Sequence, residues 1–279
     1  MSCLFVEQLT VIDCAFLDAR RGLVGESWIV DLELEGELDG QGMVLDFGEV
    51  KRRLKKAVDQ AADHKLIVPG KAAALKMHLG AGGCGLAFAA ETGPIEHISP
   101  AVAVCVLPAE EVSGEALSAH LQPLLRKQVP ATVSVIRISL RNEVTDGAYY
   151  HYTHGLKKHE GHCQRIAHGH RSRLRIAVNG KRDEKQERRW ADRWRDIYLG
   201  TSGDVVSHSK GRIRFAYTSS EGEFELELPA DRCDLLQTDS TVERIAEHIA
   251  AGVAEERPRT RIEVRAYEGV MKGALATTG

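Results

Sequence analysis

Gly161-His-Cys-Gln-Arg-Ile-Ala-His-Gly-His170, with His154 shortly before it, is the stretch on which the fold reading turns. It gathers three candidate ligand imidazoles, His154, His168 and His170, around the thiol of Cys163. Strand side chains alternate with period two, so His168 and His170 on one extended segment face the same way. The preceding run, Tyr149-Tyr-His-Tyr-Thr-His154, reads as the neighbouring strand, and His154 would supply a third corner of a tetrahedron. Three neutral nitrogens and one open position suit a catalytic zinc ion, Zn2+. Cys163 would then sit beside the ion rather than on it. The same residues would also suit a His-rich surface loop, since His151, His159 and His162 lie close by. Those three and His208 read as solvated.

Composition narrows the class. The chain has 279 residues, 43% of them hydrophobic, and a formal net charge of -3. That length is comfortable for two domains. Nearly balanced charge gives no electrostatic case for nucleic acid. The run from Lys181 to Arg195 carries both signs and reads as a solvated helix face. No apolar run reaches the ~18 residues of a membrane span, and the N-terminal residues lack a basic n-region and an apolar core, so no signal peptide is expected. Six scattered cysteines without a CxxC pair fit reduced thiols and a cytoplasmic protein.

Working outward, the chain reads as a repeat. Trp28 to Glu35 alternates apolar and acidic, the pattern of a half-buried strand. Asp46 caps a helix whose stripe is Phe47, Val50, Leu54, Ala57 and Val58, with Asp63-His64 just past its end. Two strand-like runs flank Glu91-Thr-Gly-Pro94; a helix over about 113–127 and a strand over 131–140 follow. The order then restarts. A strand over 147–154 leads to the histidine loop and a strand over 171–178. A helix is expected at about 184–199, with Trp190, Trp194 and Ile197 on one stripe. A hairpin (213–217 and 224–228), a capped helix from Ser240-Thr-Val-Glu243 and a last strand (262–267) complete the second half. Phe88-Ala echoes Phe215-Ala, and Leu107-Pro-Ala echoes Leu228-Pro-Ala. Such self-similarity predicts a duplicated domain, with the halves at 1–143 and 144–279.

These motifs resemble those of the 6-pyruvoyl-tetrahydropterin synthase and 6-carboxy-tetrahydropterin synthase family, split between the two halves. Gly42-Met-Val-Leu-Asp-Phe-Gly-Glu-Val-Lys51 and Asp63-His64 stand in the first; His154-Gly-Leu156, Cys163, His168-Gly-His170, Thr241, Glu243 and Glu268 stand in the second. The first half keeps a ghost of the zinc strand, Leu23-Val-Gly-Glu-Ser-Trp28, with Val24 and Glu26 at two ligand places and Ala15 near the third. Ser139 stands roughly where an anchoring Glu would be. In the second half, either Asp204-Val205 or Asp231-Arg232 holds the place of Asp-His.

The resemblance implies an α+β protein of two tandem T-fold (tunnelling fold) domains. Each would be an antiparallel four-stranded sheet with helices on one face. Three or four chains would close a barrel as a homo-oligomer. It implies Zn2+ on His154, His168 and His170, Cys163 as general base, Asp63-His64 as the acid/base pair, Glu268 as pterin anchor, and backbone contact near Thr241. The implied activity is that of a zinc-dependent lyase on 7,8-dihydroneopterin triphosphate. Its product would be 6-carboxy-5,6,7,8-tetrahydropterin, en route to 7-deazaguanine nucleosides such as queuosine. Formation of 6-pyruvoyl-tetrahydropterin is the alternative, as is a non-catalytic zinc-containing pterin or purine binder. Complementary loss in the two halves predicts one composite site per chain. Whether its parts meet within one chain or between chains stays open at this point.

Overall fold

The computed structural model describes residues 2–279; Met1, at which the first predicted domain begins, lies outside them. The first half runs β1 (Ser2–Asp18), β2 (Gly22–Gly36), α1 (Phe47–Ala62), β3 (Leu66–Pro69), β4 (Leu75–Gly80), β5 (Gly83–Ala90), β6 (Gly93–Ser99), β7 (Val104–Leu107), α2 (Gly114–Arg126) and β8 (Val133–Arg141). The second runs β9 (Tyr149–His154), β10 (His168–Val178), β11 (Lys181–Arg182), α3 (Glu184–Arg193), β12 (Ile197–Thr201), β13 (Val205–Ser209), β14 (Arg212–Ser219), β15 (Gly222–Pro229), β16 (Cys233–Leu236), α4 (Val242–Glu256), β17 (Ile262–Tyr267) and β18 (Gly273–Thr278).

The helices begin where side chains can satisfy free N–H groups. Asp46 accepts from Gly48 N, Ser113 from Ala116 N, Asp183 from Gln186 N and Thr241 from Arg244 N. Each buries one apolar stripe against its own sheet: Val50, Leu54 and Val58 on α1, and Ile245, Ile249 and Val253 on α4. A buried side chain of this size contributes about 1.5–3 kcal/mol.

One sheet has the order β7-β3-β1-β2-β8, and a second has β16-β12-β9-β10-β17-β18, with β11 paired to β10. The first five positions correspond one to one, and each half places one helix after its second strand and one before its fifth. The expected four-stranded antiparallel sheets are thus corrected to sheets of five and seven strands. They are also mixed: β3 pairs parallel with β1 and β7, and β12 parallel with β9 and β16. The cause is the return path. After α1 or α3 the chain re-enters beside the half's first strand, leaves to build a hairpin, and comes back as a further edge strand.

Those hairpins make a third sheet, β13-β14-β15-β6-β5-β4, to which each half gives three strands. The halves meet through antiparallel β15 and β6, where Glu227 pairs with Glu96. Phe88 and Phe215, the echo noted in sequence, are both buried on its inner face. That face covers a core shared by Ala15, Leu17 and Leu23 from one half and Ile166, Ala167 and Tyr198 from the other. The inserted hairpins therefore weld the halves together.

Two elements depart from expectation. The helix predicted to run to about 199 stops at Arg193, and Ile197 lies on β12. Asp196, at φ 56°, turns the chain in the left-handed region and ends the stripe that its apolar neighbours would have continued. β18 follows the strand expected to be last and pairs with β17 from Ile262–Thr278 to Tyr267–Gly273. Its small residues give too weak an alternation to announce a strand. Among the described residues no helix is long and apolar enough to cross a membrane.

The first two sheets cross where β2 runs over β9 and β10. A Cβ on Gly25 would collide with the backbone oxygen of Tyr152, and one on Gly169 would lie 2.7 Å from Gly25 Cα. Only glycine permits this backbone approach. Gly169 separates His168 from His170, so the crossing brings the first half onto the histidines.

Candidate active site

β9 and β10 place His154 directly opposite His168, and His170 follows on the same face. All three are at most 1% exposed. Each ring is held from outside. His154 Nδ1 lies 2.9 Å from the Ser240 carbonyl, His168 Nδ1 2.9 Å from the Arg165 carbonyl, and His170 Nδ1 3.2 Å from Asp13 Oδ1. The Nε2 atoms of all three are buried without a hydrogen-bond partner. One ligand nitrogen from each lies within 4.8 Å of the others. Burial first, and neighbouring imidazoles second, push His154 and His168 well below the ordinary histidine range, so both are neutral. Orphaned buried acceptors are costly. Three converging on one point, two of them hydrogen-bonded through the other nitrogen to a backbone carbonyl and the third facing Asp13, is the arrangement that a tetrahedral cation with one open position satisfies. The residues present fit zinc.

Asp63 and His64, from the first half of the same chain, reach this cluster. α1 ends at Ala62, and Asp63 Oδ1 accepts from Asp13 N at 2.9 Å. His64 sits at φ 53°, held by its N–H to the Asp13 carbonyl at 2.7 Å. Its Nδ1 is 2.8 Å from Asp63 Oδ2, and its ring centroid is 5.2 Å from that of His168. Burial works against charge on His64, but hydrogen bonds to Asp63 and Cys163 outweigh it and raise the imidazole to about 10. Cys163 stands on the short turn His162–Gln164, half-buried. Arg165 ties that turn across the halves: its guanidinium donates to Glu221 at 2.7 Å and to the His64 carbonyl at 3.3 Å. Cys163, His64 and the neutral ring of His168 thus share one corner of the site within a single chain.

Asp13 was not singled out in the sequence, and it joins both groups. Its side chain is 5% exposed; it accepts from the Ser27 hydroxyl and faces His170 and Lys272 Nζ, the latter at 3.3 Å. Burial would raise its carboxyl, but His170, Lys272 and Ser27 hold it well below the usual carboxylate range. The available signal was a lone acid inside the otherwise apolar run Val11-Ile-Asp-Cys-Ala-Phe16. A carboxylate behind a ligand histidine fixes its tautomer and raises its basicity. Asp13→Asn is therefore expected to weaken zinc affinity about 10–100-fold, measured by competition with a chromophoric chelator. Lys272 also approaches Glu268, at 4.0 Å. Thr241 caps α4 directly after Ser240, whose carbonyl holds His154.

The first half carries the mirror of this site. Phe16 faces Val24 across β1–β2 as His154 faces His168, so Phe16, not Ala15, takes the third ligand's place. Glu26 stands where His170 does. The pairing of Leu32 with Ile138 beside that of Ile176 with Val264 puts Asn142, not Ser139, at the position of Glu268. Asn142 Nδ2 donates to Glu26 Oε1 at 3.0 Å. Likewise Ala15–Leu66 beside Thr153–Tyr198 puts Asp196 at the position of His64, replacing both Asp204-Val205 and Asp231-Arg232. His64 and Asp196 even share the left-handed backbone. Asp196 grips the Arg21 guanidinium through two contacts, at 2.6 and 3.0 Å. At this corner of the first half an ion pair stands where the second half's site has an imidazole. His151, expected to be solvated, is largely buried there, with Nδ1 2.6 Å from the Gly25 carbonyl, and burial lowers it to about 4.

Burial also lifts Glu26 to about 7, against the pull of Ser27 N and Arg171. The folded chain then binds this proton more tightly than the unfolded chain does. The stabilisation is full below the ordinary glutamate value and is lost as pH rises through about 7. Glu26→Gln keeps the acceptor for Asn142 and Ser27 and removes the charge. Its Tm is expected to exceed that of the native chain at pH 8 and to match it at pH 5, by calorimetry.

Residues 18–154 and 143–191 match the family model described as 6-pyruvoyl tetrahydropterin synthase. Among solved structures, Plasmodium vivax 6-pyruvoyltetrahydropterin synthase is 21% identical over 51% of this chain and 98% of its own, with a TM-score of 0.39. The Plasmodium falciparum 6-pyruvoyl tetrahydropterin synthase is 23% identical over 50% of this chain and 90% of its own, with a TM-score of 0.41. No curated protein matches the chain.

Proposed function

Because the chain belongs to the 6-pyruvoyl tetrahydropterin synthase family, we propose that it is a zinc-dependent lyase acting on the side chain of a reduced pterin, 7,8-dihydroneopterin triphosphate, with 6-carboxy-5,6,7,8-tetrahydropterin as product. The observation that carries the reading is the set of three buried, unpartnered Nε2 atoms beside Cys163, His64 and Asp63 of one chain.

In this reading His154, His168 and His170 hold the ion, and bound zinc supplies a Lewis acid for the side-chain oxygens. Cys163 takes a proton from a side-chain carbon. His64, oriented by Asp63, holds a proton for the oxygen of the departing fragment, the logic of a base with its orienting partner. Glu268 accepts hydrogen bonds from the pterin ring N–H groups, and the backbone at Thr241 lines the same pocket. Residues 1–143 and 144–279 are each a T-fold unit, one lending the proton shuttle and the other the metal. The protein works in the cytoplasm as a homo-oligomer of three or four chains whose sheets close a barrel.

The test is metal analysis with product identification. About one zinc per chain is expected, lost in His168→Ala. Mass analysis of the product distinguishes the branches: a 6-pyruvoyl product moves the protein to the other one. Stoichiometric zinc with no turnover on reduced pterins would sink the lyase reading and leave a binding protein.

A further inference from the structure

His168 belongs to two ligand sets. One is His154, His168 and His170; the other is His64, Cys163 and His168, whose donor atoms also lie within 4.8 Å of one another. The sets share only His168, because its Nδ1 is spent on the Arg165 carbonyl and Nε2 is its one free nitrogen. An ion in either set therefore excludes a full complement in the other. The sets differ in chemistry. The first offers three imidazoles. The second offers a thiol and two imidazoles, on a corner open enough to leave Cys163 partly exposed. Thiolate ligands select soft ions over hard ones.

We propose that His64, Cys163 and His168 form a second, overlapping metal site that captures thiophilic divalent ions such as Cd2+ and thereby ties up the thiol. Binding is ligand exchange without redox change: metal bonds from Cys163 Sγ and His64 Nε2 replace the S–H bond of the thiol and the N–H bond of the imidazolium, and the displaced protons leave to solvent. His64 Nε2 is the second donor, since Nδ1 faces Asp63. The site makes the protein selectively sensitive to soft metals, and the sensitivity stands on ligand geometry whether or not the lyase reading holds.

Cadmium titration of the metal-free full chain tests it. Cys3 is exposed, so Cys3→Ser is the reference background. The reading is the ultraviolet thiolate-to-cadmium charge-transfer band, with proton release followed by a pH indicator. The first equivalent of Cd2+ is expected to raise the band and to release protons in step with it. Cys163→Ser should lose the band while still binding an ion through the three histidines. His64→Ala should weaken band formation by at least the ~10–100-fold that outer-shell changes cost. His154→Ala and His170→Ala should keep it. A band that survives Cys163→Ser, or that disappears in His154→Ala and His170→Ala but persists in His64→Ala, overturns the proposal. The latter pattern would make the thiol a fourth ligand of the three-histidine set.

Discussion

Cys163→Ala is expected to lower turnover about 10²–10⁴-fold, the range of a lost acid–base group, with zinc retained. Metal retention follows from how the ligands are built. The three Nε2 atoms are aimed by β9 and β10 and by contacts to the Ser240 carbonyl, the Arg165 carbonyl and Asp13. None of those contacts uses the thiol. The substitution also removes little packing, because the side chain is small and only half-buried. Steady-state kinetics beside metal analysis on one preparation checks both halves of the statement. Loss of zinc together with turnover would mean that the thiol holds the ion, and the division of roles would fail.

His64→Ala is expected to cost a similar ~10²–10⁴-fold, for the same reason. The sharper result concerns mixing. Where a site is shared between chains, two inactive variants restore activity when they assemble together. Here His64, Asp63 and Cys163 are within reach of His168 in one chain, and Arg165 bonds to both Glu221 and the His64 carbonyl. Co-expressed His64→Ala and Cys163→Ala chains are therefore expected to show no recovery over either alone. Partial recovery would place the working site between chains. Metal content serves as the folding control, since neither variant removes a ligand of the three-histidine set.

Parts of this site are legible without tertiary structure because they depend on short-range rules. His168 and His170 share a face because strands alternate. The helix starts at Asp46, Ser113 and Thr241 are visible because a side-chain oxygen must satisfy a free N–H. Family membership rests on the same local patterns, Gly42 to Lys51 and His168-Gly-His170 among them.

Other parts required the fold. The sequence points to Ala15 where Phe16 stands because the halves differ in the loop between their first two strands. A tight turn after Asp18 answers a long loop from Gly155 to Ala167, and counting residues across unequal loops loses the register. Arg195-Asp196 escaped as the counterpart of Asp63-His64 because its apolar neighbours continue a helical stripe, whereas the backbone turns at Asp196. Asp13 escaped because an acid in an apolar strand announces nothing about what faces it.

Sequence alone determined which imidazoles share a face, where three of the helices begin, and that the second half repeats the first. These follow from periods of two and 3.6, from caps and from motif spacing, all of them local. Tertiary structure decided that Asp63 and His64 meet the histidines inside one chain, that Asp13 supports His170 from the opposite half, and that the two inserted hairpins form one sheet. The physical reason is the glycine crossing. Gly25 and Gly169 let two sheets approach at backbone distance, and residues remote in the chain become neighbours through a contact that neither segment encodes by itself.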